Sequence, residues 1–261
     1  MGLYATRTFA LLHVRDRAQQ RAAATMPRMK RILAALAALT MSLAAHAAPW
    51  WSAFGEPALD GVMQAAGDVD DTAQLALVQS WIVARVQQSR LTLVRQLLQA
   101  ARAEQALLMN AEPVPARDPA LAAVCQRIEQ AEAALDQLVS ERNQHLLAMA
   151  ATAHLDPNEL AKRLAGTSGP AVPLVAAPAP GADDNGPTLA ALAREAARLQ
   201  QLQRARELEF QARQARERAG DSNQVATLQT WQQLMLDTDR TTVAAGKLAL
   251  AWAQWLPARQ R

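Results

Sequence analysis

The sequence predicts an all-α protein: two long antiparallel helical hairpins, packed as a coiled-coil-like four-helix bundle and joined by a Pro/Gly-rich linker, with no β-barrel. Ala, Leu, Gln, Arg and Glu dominate the composition, and aromatic residues make up only 4% of the chain. Such a composition is typical of long helices. Long stretches also lack proline and glycine, and their apolar residues recur at steps of three and four, the spacing of one helix face.

Residues 1–47 are interpreted as a leader that ends in a secretory signal. Arg28, Lys30 and Arg31 precede an apolar run of 14 residues from Ile32 to Ala45, and Ala45-His46-Ala47 resembles a small-residue cleavage site. The alternative, an N-terminal membrane anchor, is disfavoured because the apolar run is short for spanning a bilayer. We therefore expect an exported protein of the periplasm, with any outer-membrane association made through partners.

The charge of the chain depends strongly on this leader. It holds seven of the 27 basic residues and one of the 24 acidic residues, so the rest has 20 basic and 23 acidic residues and a net charge of −3. Proteins that bind nucleic acid generally present a basic surface. No nucleic-acid partner is therefore predicted.

Residues 48–71 are predicted to form an extended segment and a short helix, and residues 72–165 the first hairpin. Its first helix runs from Asp71 to Met109, and the two prolines of the following loop favour a reversal of the chain. Asp118 and Pro119 begin the second helix. The apolar stripe of the first helix comprises Leu75, Val78, Ile82, Val86, Leu93, Leu97, Ala100 and Leu107. The second helix has a heptad seam, which comprises Leu121, Val124, Ile128, Ala131, Leu135, Leu138, His145 and Met149. Arg142 is a polar break in that seam.

Asp156-Pro157 begins a short helix that ends at Gly166, and residues 166–187 are a proline- and glycine-rich linker. Residues 188–256 are predicted to form the second hairpin, turning at Gly220 and Asp221, with a tail at 257–261. The expected apolar stripes comprise Leu189, Leu192, Ala196, Leu199, Leu202, Ala205, Leu208 and Ala212 on the first helix, then Val225, Leu228, Trp231, Met235, Ala245, Leu248, Trp252 and Trp255 on the second.

No catalytic, cofactor or metal site is predicted. The only candidate metal ligands among His and Cys after the leader are His145, His154 and Cys125, far apart in sequence. The stretch 166–169 is one residue short of the esterase nucleophile motif and lies in the linker. The three tryptophans of the last helix have helical spacing, which favours core packing over ligand stacking.

Three segments resemble a known family. Trp50, Trp51, Phe54, Gly55, Pro57 and Leu59 lie in PWWSAFGEPALD, which is similar to the W-W-x-x-F-G-D-P-x-L-D start of TolC-like outer-membrane efflux proteins of the NodT type. Arg216, Arg218, Gly220 and Ser222 lie in RERAGDS, which resembles the family's R-x-x-A-G-x-x-S turn with the serine one place early. A third stretch, residues 145–180, looks like the segment leading to the family's crossover.

The resemblance implies a passive helical component of a tripartite RND-type efflux system. In the family the glycine turn is a hairpin tip that docks a periplasmic adaptor, and the chains form a homotrimer. Here both pairs of barrel strands are missing, and the first hairpin tip lacks the glycine motif. A plain helix–turn–helix would also need Gly220 to end one helix and Ser222 to cap the next.

Alternatives stay open at this point. The tryptophan pair Trp50 and Trp51 either staples the chain start to the bundle or docks a partner. The protein is either a shortened efflux component with adaptor, pump and trimer partners, or a periplasmic coiled-coil scaffold without transport function, or the remnant of a channel.

Overall fold

The computed structural model describes residues 49–111, 117–167, 186–221 and 223–260. In these ranges the chain forms helices and no β-strand, so the all-α prediction is confirmed. No helix in the described part combines the length and apolar composition needed to cross a membrane. The predicted leader, the first hairpin loop at 112–116 and most of the linker lie outside the described residues.

The described chain begins with a 3₁₀ turn, Trp50–Phe54, and continues in six α-helices. These are α1 (Pro57–Ala66), α2 (Asp71–Asn110), α3 (Arg117–Ala153), α4 (Pro157–Ala165), α5 (Gly186–Arg218) and α6 (Gln224–Gln260). Two of the starts follow from side-chain caps. Asp70 Oδ1 accepts the Ala73 N–H at 2.7 Å, and Asp156 Oδ1 accepts the Asn158 N–H at 2.7 Å, each satisfying a donor that the helix leaves unpaired.

Helices α2 and α3 form one hairpin and α5 and α6 the other, and the hairpins pack mainly through α2 and α6. Helices α3 and α5 therefore lie on the outer sides of a central α2–α6 pair. Glu104, near the end of α2, contacts Gln229 near the start of α6, whereas Arg90 contacts Asp239 further along. The central pair is thus antiparallel, and the tips of both hairpins lie at the same end of the molecule.

The opposite end, the base of the hairpins, contains the main hydrophobic core. The 3₁₀ turn, α1 and α4 close over the ends of the long helices there, and Leu59, Trp81 and Leu160 are fully buried. Burying one such side chain contributes roughly 1.5–3 kcal/mol. Trp252 and Trp255 belong to this core, with ring centroids 5.0 Å apart in an edge-to-face arrangement, so their predicted packing role is confirmed.

The middle of the first hairpin has a polar layer at Arg142, the residue that interrupts the predicted heptad seam. Arg142 Nη1 donates to Gln88 Oε1 at 2.8 Å, and Gln87 Nε2 donates to Glu141 Oε2 at 2.6 Å. Burial, together with the nearby positive charge of Arg95, lowers the pKa of Arg142 below its usual value. A polar layer of this kind favours one register of two helices over its alternatives.

The expected apolar stripe of α5 is only half right. Leu189 and Ala196 are buried, but Leu202 is 45% exposed and Leu208 66% exposed. Ala205 and Ala212 are exposed as well. The tip half of α5 therefore turns its apolar residues to solvent, and Phe210 is the apolar side chain that packs towards Trp231 of α6.

Candidate functional site

The structure places the tryptophan-containing segment in the core of the base. Trp50 and Phe54 are 7% and 3% exposed, and Leu59 is fully buried. Trp51 is half-buried and packs edge-to-face on Trp50 with centroids 5.9 Å apart. This packing matches the interpretation of the pair as a staple that fixes the chain start to the bundle.

The glycine and proline of this segment shape the connection to α1. Gly55 has a φ of +62°, a conformation that residues with a β-carbon adopt rarely. Pro57 occupies the first helical position of α1, where its missing N–H is not needed. The two residues therefore direct the chain from the 3₁₀ turn into α1.

Glu56 lies between Gly55 and Pro57 and makes the polar connection to α2. Its carboxylate forms an ion pair with Arg85 and accepts the Trp81 Nε1–H at 2.9 Å. Arg85 is 3% exposed, and burial lowers its pKa to about 10. The guanidinium therefore stays charged at neutral pH and needs a carboxylate beside it.

The tip of the second hairpin has a well-defined helix end. Gly220 has a φ of +82°, the Asp221 N–H donates to the Arg216 carbonyl at 2.8 Å, and the Gly220 N–H donates to the Glu217 carbonyl at 3.0 Å. This pair of bonds is a Schellman motif, with Gly220 in the left-handed position. Gly220 therefore ends α5 in a left-handed conformation, as predicted from the sequence.

The capping role expected of Ser222 belongs to its neighbour. Asn223 precedes α6, and its Oδ1 accepts the Ala226 N–H at 2.8 Å. Asparagine is as good a helix cap as serine, and the one-residue shift means that α6 begins at Gln224. Ser222 itself lies outside the described residues.

Arg216 and Arg218 are exposed in the last turn of α5. Neither side chain has an ion pair or hydrogen bond within the described ranges. Positive charge is favourable at this position because the carbonyl end of a helix carries a partial negative charge. The tip therefore presents two exposed guanidinium groups beside Glu217 and Asp221, about 45 Å along α6 from the tryptophan-rich base at 1.5 Å per residue.

A buried polar network joins the two hairpins below these tips. Glu104 of α2 is 1% exposed. Its carboxylate accepts from Arg127 Nη2 of α3 at 2.9 Å, from Gln232 Nε2 of α6 at 2.8 Å and from Gln229 Nε2 of α6 at 3.0 Å. Arg127 Nη1 also donates to Gln232 Oε1 at 3.0 Å. One carboxylate thus connects three helices and fixes the position of one tip relative to the other.

No cluster of three His, Cys, Asp or Glu side chains that could hold a metal ion occurs in the part of the chain that the structure describes. His154 has a φ of +52° and ends α3, with the Leu155 N–H bonded to the Ala150 carbonyl at 3.2 Å. Cys125 Sγ accepts a hydrogen bond from Gln105 Nε2 at 3.3 Å. Both residues therefore have local structural contacts.

The sequence did not predict a role for Glu104, Arg127, Trp81 or Arg85. A signal for Glu104 was present, because it lies four residues after Ala100 and three before Leu107 of the α2 stripe. A charged residue at an apolar position of a helix needs a buried partner. Nothing in the sequence indicated which helix would supply that partner.

Comparison with models of known protein families, with curated proteins and with solved structures found no match for this chain.

Proposed function

We propose that the protein is a non-catalytic helical docking component of an export system: a shortened TolC-like protein that binds a periplasmic adaptor of an RND-type pump. The observation that carries the proposal is the tip of the second hairpin. Arg216 and Arg218 stand exposed on a helix that Gly220 ends in a Schellman motif. Glu217 and Asp221 lie in the same turn, so the tip presents both signs of charge, and its exposed guanidinium groups can pair with carboxylates of a partner.

The packing between the hairpins supports this use of the tip. Both tips lie at one end, and the Glu104 network holds them together. A docking surface built on two connected hairpins keeps its shape better than one on a single hairpin, because two long helices alone can bend and slide.

Self-association belongs to the same proposal. Leu202 and Leu208 are 45% and 66% exposed on the outer helix α5, and exposed apolar side chains favour contact with another protein chain. A homotrimer, as the efflux resemblance implies, would cover these two leucines. Attachment to the outer membrane would then depend on the assembled partners.

The test is binding of the purified chain to the adaptor of an RND pump from the same cell, measured by biolayer interferometry at low and moderate salt. We expect binding that weakens with salt, because exposed charges are screened. The double variant Arg216→Glu, Arg218→Glu should bind at least about tenfold more weakly, a loss of about 1.4 kcal/mol. Arg204→Glu, a charge reversal on the same helix away from the tip, should bind like the wild type.

Two results would overturn the docking proposal. One is the absence of binding by the wild-type chain. The other is an equal loss in the Arg204 variant, which would indicate a general effect of charge on α5.

The second candidate function is a periplasmic scaffold without a role in transport. The observation in its favour is that the base closes on its own core of aromatic and aliphatic side chains, so the bundle is stable without a channel around it. Cell fractionation separates the two candidates. A trimer in the outer-membrane fraction supports the efflux component, whereas a periplasmic monomer supports the scaffold.

A further inference from the structure

A polar cleft of about 330 Å³ lies between the two hairpins on the side of α5. Three arginines line it: Arg127 comes from α3, and Arg206 and Arg213 come from α5. Thr230 and Gln233 of α6 form part of the same wall. The cleft therefore brings together guanidinium groups from both hairpins, which are far apart in the sequence.

Two of these arginines have carboxylate partners. Arg127 donates to Glu104 at 2.9 Å, and Arg206 donates to Glu209 and, at 3.3 Å, to Asp237. Hydrogen bonds to Glu209 and Asp237 raise the pKa of Arg206 above its usual value. These carboxylates hold two guanidinium groups in place at the edge of the cleft.

Arg213 differs from Arg127 and Arg206 in having no carboxylate partner in the described part of the chain. It is half-buried, and among the described residues its side chain has no ion pair and no hydrogen bond. Asp237 also pairs with Arg240 at 3.1 Å, and Glu209 lines the cleft together with the three arginines. The lining therefore holds three guanidinium groups and one carboxylate, which pairs with Arg206, and Arg213 is the guanidinium that makes no ion pair among the described residues.

The chemistry of the walls selects the ligand. Arginine presents planar pairs of N–H donors that match two oxygens of an oxyanion. Polar side chains dominate the named walls, whereas sites for apolar ligands are lined mostly by hydrophobic and aromatic residues. A small anion with several oxygens fits these donors and neutralises the excess charge.

We propose that this cleft binds a compact oxyanion of the phosphate class, with Arg213 as its main ligand and Arg206 and Arg127 as supporting donors from the two hairpins. Binding joins α5 to α3 and so stabilises the packing of one hairpin on the other. The site is separate from Arg216 and Arg218 at the tip, and it does not depend on docking of an adaptor.

The first test uses inorganic phosphate and the full chain. We expect ³¹P NMR lines of phosphate to broaden on addition of the wild-type protein. The melting temperature should rise by about 3 °C at phosphate ten times above its Kd, relative to sodium chloride at the same ionic strength. Equal melting temperatures in the two salts, with unbroadened lines, would overturn the proposal.

The second test assigns the site to Arg213. Arg213→Gln should lose both the broadening and the thermal shift, and Arg213→Lys should retain a part, because lysine keeps the charge but not the paired donors. Arg204→Gln is the matched control: it removes the same charge from an exposed position of α5 and should respond like the wild type. An equal loss in the Arg204 variant would show only general attraction of anions and refute the site.

Where Arg213→Gln fails to fold, Arg213→Lys decides instead: a response equal to that of the wild type in both measurements would refute Arg213 as the main ligand. The two proposals can also fail independently. A chain that binds phosphate but no adaptor refutes docking alone, and a chain that binds adaptor but no phosphate refutes the cleft alone.

Discussion

Gly246 of α6 lies directly against Val86 of α2. A β-carbon at Gly246 would come within 2.5 Å of Val86 Cγ2, and the φ of this glycine is not positive, so close approach is the reason for glycine here. Non-bonded carbon atoms prefer to stay about 3.5–4.0 Å apart. The two central helices therefore approach each other closely only because position 246 has no side chain.

Gly246→Ala should destabilise the fold, although alanine is the better helix former by about 1 kcal/mol. The added methyl group forces the helices apart, and such overpacking typically costs about 1–3 kcal/mol. Urea unfolding followed by circular dichroism measures the free energy of unfolding. Val86→Ala in the same chain should recover most of the loss, and strictly additive effects of the two changes would contradict this account.

The long helices could be predicted from the sequence because local signals agree along them. Asp70 and Asp156 cap helices, Gly220 ends one, and α2 has no proline or glycine inside. The packing of α2 was predicted less completely. The stripe of Val78 and Ile82 is buried, but Leu77, Trp81 and Leu91 on other faces are buried too. Periodicity suggests one face, whereas a central helix contacts neighbours on several sides.

The error on α5 has a geometric cause. The expected stripe continues through Leu199, Leu202, Ala205 and Leu208, which follow one another at steps of three residues. At 3.6 residues per turn each such step falls about 60° short of a full turn. Three steps rotate the stripe by about 180°, so Leu208 faces away from the side on which Leu199 packs. Long runs of three-residue steps therefore need this correction before they are assigned to one face.

The two exposed leucines of α5, Leu202 and Leu208, give a prediction about assembly. The double variant Leu202→Gln, Leu208→Gln should weaken self-association by at least about tenfold, because burying one leucine contributes roughly 1.5–3 kcal/mol. The stability of the monomer should change little, since both side chains are already exposed. Sedimentation velocity over a range of concentrations measures the association. Leu147→Gln, which changes an exposed leucine on α3, is the control, and a wild-type chain that stays monomeric would contradict the prediction.

The candidate site was only partly predictable. Gly220 was recognised because a left-handed helix end favours glycine strongly. The Glu104 network depends on which helices meet, and sequence spacing within one helix does not determine that. The arginine cleft has the same origin, because Arg127 and Arg213 are brought together only by the packing of the two hairpins.

Glu104→Ala should destabilise the fold by about 3 kcal/mol. It leaves Arg127, Gln229 and Gln232 without their buried acceptor, and breaking a buried charge pair typically costs about 3–5 kcal/mol. We expect the lower end of this range because the Arg127 side chain is 40% exposed, so water can hydrate its guanidinium group once Glu104 is removed. Glu132→Ala is the control: it breaks the exposed pair with Arg102, which should cost less than about 1 kcal/mol. Similar losses in both variants, measured by urea unfolding, would contradict a special role of the network.

Glu56 separates the contribution of charge from that of a hydrogen bond. Glu56→Gln keeps an acceptor for Trp81 Nε1 but removes the negative charge from Arg85, which is 3% exposed. Arg85 has a further contact, but a buried guanidinium that loses its carboxylate is costly, so we expect a loss of about 3 kcal/mol in the free energy of unfolding. In the background Arg85→Met, which removes the buried cation, the same change should cost less than about 1 kcal/mol, since only a neutral hydrogen bond is exchanged. Equal losses in the two backgrounds would show that Glu56 acts mainly through Trp81 rather than through the ion pair.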